Sequence, residues 1–126
     1  MTSIYEMECR EQPERLAQLL RAYQDDLAIR KELDTLRDLS RARGPILLMG
    51  MGASYCSSIA GVSYLQSGGR SAFAVDASEW LHYSEAWDEA SLSLLVTTSG
   101  ESAELVRLCQ KGCLLYTSDA ATIYSV

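Results

Sequence analysis

The chain has a single histidine, no Cys-x-x-Cys pair, no long apolar run and fewer basic than acidic side chains, and each shortage excludes a class of function. His82 and the scattered Cys9, Cys56, Cys109 and Cys113 lack the spacing of a zinc site, so free thiols and no metal are expected. No stretch approaches the ~18 consecutive apolar residues of a membrane span, and Met1 to Arg10 lacks a basic segment followed by an apolar one. A cytoplasmic location, with neither a membrane anchor nor a signal peptide, is therefore the expectation. The net charge of -6 opposes nucleic acid and anionic lipid as partners, and no helix-turn-helix or basic stretch argues otherwise.

What is present suits one domain: 126 residues, 48% of them hydrophobic, are enough to bury a core. Met1 to Gln12 is mixed and reads as partly irregular. Pro13 suits a first helical position, and Leu16, Leu19, Leu20, Tyr23 and Leu27 follow at helical spacing. Ile29, Leu33, Leu36 and Leu39 carry the pattern towards Arg43, so residues 1–43 form an N-terminal helical segment suited to cover a sheet or join a subunit contact. Gly44-Pro45 stops it, and Ile46 to Met49 is a continuous apolar run of the kind found in buried parallel strands.

From there strands and helices alternate. A turn at Gly50-Met51-Gly52-Ala53-Ser54 leads into a helix over Tyr55 to Gln66, which Gly68-Gly69 ends. Ser71 to Val75 is a second strand, Asp76 to Trp80 leads into a short helix, Asp88 and Glu89 lie in the connection, and Leu92 to Val96 is a third strand. This pattern predicts an α/β fold, a doubly wound parallel sheet of flavodoxin type, with ligands at the C-terminal ends of the strands.

One stretch at such an end carries the chemistry. Leu94-Leu95-Val96 feeds into Thr97-Thr98-Ser99-Gly100-Glu101-Ser102 and then into the periodic segment Ala103 to Leu108, so it reads as strand, tight turn and helix start. Backbone N–H groups of a first helical turn lack partners and carry partial positive charge, so with the hydroxyls of Thr97, Thr98, Ser99 and Ser102 they can satisfy a phosphate without Lys or Arg. Ordinary helix capping needs fewer hydroxyls than these four. Gly50-x-Gly52 with Asp76 invites a dinucleotide reading, but the third glycine position is Tyr55, whose ring opposes the close packing that fingerprint needs. His82 reads as a packed or surface residue rather than a catalytic base, and Glu79 either caps a helix at Ser78 or reaches the mouth of the site.

Taken together these motifs resemble the sugar isomerase (SIS) domain, specifically the first of the two in the isomerase part of glucosamine-6-phosphate synthase and its relatives. Met7 to Pro13, ending in Glu-Gln-Pro, is similar to the family's opening segment, and Gly52-Ala53-Ser54-Tyr55 to its Gly-Thr-Ser-Tyr turn. Ala77-Ser78-Glu79-Trp80 is similar to Ala-Ser-Glu-Phe, and Thr97 to Ser102 to Ser-Gln-Ser-Gly-Glu-Thr. The resemblance implies that Thr97, Thr98, Ser99 and Ser102 hold the phosphate of a sugar phosphate with Ser54 near the sugar hydroxyls, and that Gly52, Glu79 and Gly100 border the site. Thr98 replaces the family glutamine, which changes the sugar contact. Glu101 is expected to face a helix dipole or a backbone N–H, because its charge repels phosphate.

The family implication is aldose-ketose isomerisation or aminosugar deglycation by a two-SIS protein, without a cofactor, as a homodimer. The proton-moving acid and base belong largely to its second domain, so no catalytic residue is assigned here. The rival is a non-catalytic module that senses a sugar phosphate. Residues 44–112 correspond to a partial SIS domain, incomplete at its C-terminus, which predicts an exposed strand edge. Residues 113–126 depart from the pattern: Cys113 to Ala121 matches, residue for residue, the translation of a transposon-based sequencing adapter. That tail is expected to be foreign to the natural protein, with Cys113 to Tyr116 able to pair at the open edge.

Overall fold

The computed structural model describes residues 3–42, 44–83 and 91–115. The segment holding Asp88 and Glu89, and the tail from Tyr116 onward, lie outside the described residues. Two compact units separate, Met1–Leu39 and Ser40–Val126.

In the first unit, α1 (Ile4–Asp25) begins well before Pro13, contrary to the irregular start expected from sequence. Ser3 is the reason: its side chain accepts the Glu6 N–H at 3.1 Å, and the Arg10–Glu6 and Arg15–Glu11 pairs brace the first turns at 2.7 and 3.4 Å. Pro13 therefore sits inside the helix, where it removes one intrahelical hydrogen bond. Asp26 then separates α1 from α2 (Leu27–Ala42), its Oδ1 accepting from the N–H groups of Ala28 at 2.8 Å and Ile29 at 3.3 Å. No residue of either helix is buried.

The second unit is an α/β layer. Strand β1 (Ile46–Gly50) is buried along its whole length, as a continuous apolar run requires. It is followed by α3 (Ala53–Ser67), β2 (Ala72–Asp76), α4 (Ala77–Tyr83), β3 (Leu92–Leu95) and α5 (Ala103–Leu115). The three strands form a parallel sheet in the order β2-β1-β3, with Ile46 opposite both Ala72 and Leu92.

Alternation along β1 divides the core in two. Leu47 and Met49 join Ala77, Leu105 and Leu108 from α4 and α5, whereas Ile46 and Leu48 join Val62 of α3 and Ala72 of β2. Helices thus cover both faces, the layering expected from sequence and compatible with a Rossmann-like or flavodoxin-like arrangement. The edge pairing open to Cys113 to Tyr116 does not occur over the described residues, where α5 continues through Leu115. Among the described residues, β2 and β3 are the sheet edges, and no helix is long and apolar enough to cross a membrane.

Candidate functional site

The strand order fixes where a ligand would lie. From β1 the chain turns through α3 to β2 on one side, while β3 flanks β1 on the other, so the order reverses between β1 and β3. Open α/β sheets bind ligands in the crevice at such a reversal, beyond the carboxyl ends of the strands. Two turns flank it: residues 50–54 after β1, and residues 96–102 after β3.

The turn after β1 is built by close approach. A Cβ on Gly50 would lie 2.7–2.8 Å from backbone atoms of Ser54 and Tyr55, so only glycine lets α3 start directly against the strand end. Gly52 adopts φ +55° and is exposed, and the Ser54 N–H donates to the Met51 carbonyl at 3.1 Å. Ser54 itself is half-buried in the first turn of α3, its carbonyl receiving the Ser58 hydroxyl at 2.9 Å. Gly61 supplies the second close contact, since a Cβ there would meet Leu48 Cδ2 at 2.9 Å. The tight packing that a dinucleotide fingerprint assigns to its third glycine is therefore achieved here by other glycines, and Tyr55 stands half-buried at that position.

The turn after β3 is anchored by Val96, whose N–H donates to the Met49 carbonyl at 2.8 Å. Thr97 is buried at 7% exposure, whereas Thr98, Ser99, Gly100 and Glu101 are exposed and Ser102 is half-buried. The Gly100 N–H donates to Thr97 Oγ1 at 3.1 Å, and the Glu101 N–H donates to Ser99 Oγ at 3.1 Å. Gly100 has φ +72°, a left-handed conformation that favours glycine. Ser102 stands at the start of α5, its carbonyl accepting the Val106 N–H at 2.9 Å, so the first amides of α5 open onto the same end of the sheet.

The turn after β2 differs in chemistry. Its capping residue is Asp76 rather than Glu79, for which a cap at Ser78 was one of two alternatives: Oδ1 of Asp76 accepts from the Ser78 N–H at 2.9 Å, the Ser78 hydroxyl at 2.6 Å and the Glu79 N–H at 3.3 Å. The signal was an aspartate two residues before a serine at a strand-to-helix junction, the pattern of an Asx cap. The Ser78 hydroxyl, helped by the two backbone N–H groups and opposed by burial, holds the Asp76 carboxyl below its ordinary value of 3.8. With one carboxylate oxygen so engaged, Asp76 serves the fold first.

Glu79 is exposed and lines a shallow groove of about 370 Å³ with Val75, Trp80 and Tyr83, at the β2 end and a strand removed from the β3 turn. His82 is exposed on α4, its ring edge-on to Tyr83 at 6.5 Å. Cys9, Cys56 and Cys109 are in no disulfide, and among the described residues no cluster of His, Cys, Asp or Glu is placed to hold a metal ion. The β1 and β3 turns thus lie at the same end of two neighbouring parallel strands, and the expected site residues Ser54, Thr97, Thr98, Ser99 and Ser102 belong to them, whereas Glu79 belongs to the turn after β2. No protein-family model matches the chain, and no curated protein sequence matches it either.

Proposed function

We propose that this chain binds a sugar phosphate at the crevice between β1 and β3, in the manner of an SIS domain, and contributes that subsite to a cytoplasmic two-SIS aldose-ketose isomerase or aminosugar-phosphate deglycase. The observation that carries the reading is the placement of Thr97 to Ser102 at the carboxyl end of β3, where the strand order reverses and α5 begins. Exposed hydroxyls at Thr98 and Ser99, the half-buried Ser102 and the first amides of α5 supply donors for an anion in a protein of net charge -6. Ser54, across the crevice, would meet the sugar. The proton chemistry of isomerisation is assigned to none of these side chains, since hydroxyls at ordinary acidity are poor general bases near neutral pH.

Replacing Ser102 with Ala removes a hydroxyl that has no loop-closing role on the observed bonds. Titration with glucosamine 6-phosphate is expected to show weaker binding by about fivefold, the scale of one hydrogen bond. The Ser99→Ala variant loses more, because its Oγ also holds the Glu101 amide. Unchanged affinity in both variants contradicts the assignment.

A further inference from the structure

We propose that Thr97 is the positioning residue of this loop: its buried hydroxyl holds Gly100 in its left-handed conformation and thereby sets the shape that the other hydroxyls present to a phosphate. The functional half of this inference rests on the phosphate reading above; the structural half holds for the unliganded protein.

Thr97 differs from its neighbours in burial and in bonding. It follows directly on Val96, which is tied to the central strand through Met49, and it is the one buried residue of the turn. Being β-branched, it has a stiff χ1, so Oγ1 is held where the backbone places it. That oxygen accepts the Gly100 N–H, spanning the exposed Thr98 and Ser99. Glycine visits φ +72° at little cost but leaves it as easily, since it has the widest backbone freedom of any residue. A bond from a fixed, buried acceptor removes that freedom.

The consequence runs on to α5. Gly100 is followed by Glu101, whose amide is held by Ser99, and then by Ser102 at the start of the helix. The amides of Gly100 and Glu101 are thereby committed within the loop, and an incoming anion meets the hydroxyls of Thr98, Ser99 and Ser102 and the first turn of α5. Thr97 thus acts through Gly100 rather than chiefly as a ligand.

Amide hydrogen exchange and phosphate titration test this together. In the wild type without ligand, the Gly100 amide is expected to exchange at least about fivefold more slowly than an unstructured amide, the scale of one net hydrogen bond. Exchange at the unstructured rate overturns the proposal with no variant needed. Thr97→Val keeps the shape and removes the acceptor. It is expected to bring Gly100 to the unstructured rate and to weaken binding of inorganic phosphate about fivefold, leaving the Val96 amide as protected as before. Thr97→Ser restores both the protection and the affinity. A Thr97→Val protein that binds phosphate as tightly as the wild type, or in which Gly100 stays protected, contradicts the positioning role. Failure of the wild type to bind phosphate while Gly100 remains protected and responds to Thr97→Val overturns the phosphate reading and leaves the loop assignment supported.

Discussion

At Asp76 a strand ends, a helix begins and a charge is fixed by the same three hydrogen bonds. Because its carboxyl titrates below its ordinary range, the stability it confers is fully present above the unfolded value and is lost as pH falls through the lower folded one. Asp76→Ala is expected to destabilise the α/β unit at neutral pH by about 1 kcal/mol, the cost of a lost cap, with a smaller loss for Asp76→Asn, which keeps an acceptor. Denaturant midpoints at pH 7 and at pH 3 check this. The difference between wild type and variant shrinks at the lower pH, and an unchanged difference contradicts the cap. Gly50 is a second residue whose role is steric: Gly50→Ala places a methyl against backbone of Ser54 and Tyr55 and should cost about 1–3 kcal/mol, read as a drop in melting temperature. The dinucleotide fingerprint that Gly50 and Asp76 invite fails on the sequence itself, because Tyr55 stands at its third glycine position. The structure uses both in the first place to join strands to helices, a role that depends on contacts no spacing rule contains.

Elements were legible where one pattern ran without competition. The apolar run at Ile46 to Met49 became β1 with every residue buried, and the three strands pair in parallel as alternation with helices required. The start of α1 was misread because Pro13 is a strong signal for a first turn, yet Ser3 and the Glu6–Arg10 pair start the helix about two and a half turns earlier and carry it through the proline. Pro13→Ala should accordingly stabilise α1, by up to about 3 kcal/mol on helix-propensity scales, seen as increased helical circular dichroism at intermediate temperatures. In β3 the N–H groups of Leu92 and Val96 donate to Pro45 and Met49, so by alternation that of Leu94 also faces β1 and that of Ser93 faces away. Ser93→Pro should therefore be tolerated far better than Leu94→Pro, which removes a ladder bond and should cost about 3 kcal/mol or more. Equal melting temperatures for the two variants would place the strand in a different register.

At the scale of the whole chain, the doubly wound layering followed from strand and helix alternation, but the point where strand order reverses did not. It depends on β3 pairing with β1 rather than β2, a long-range choice that local patterns do not encode. The two glycine-and-hydroxyl turns that hold Ser54 and Thr97 to Ser102 were readable from the sequence. Their division into loop-shaping and outward-facing hydroxyls came from burial and hydrogen bonds that sequence lacks. Amide chemical-shift mapping with glucosamine 6-phosphate, with glucosamine as the control, tests the proposal that a phosphorylated sugar binds at the ends of β1 and β3. Saturable shifts are expected at Gly52 to Ser54 and at Thr98 to Leu105 with the phosphate ester and none there with the free sugar. Shifts confined to the groove at Glu79 and Tyr83, or equal responses to both sugars, would contradict it.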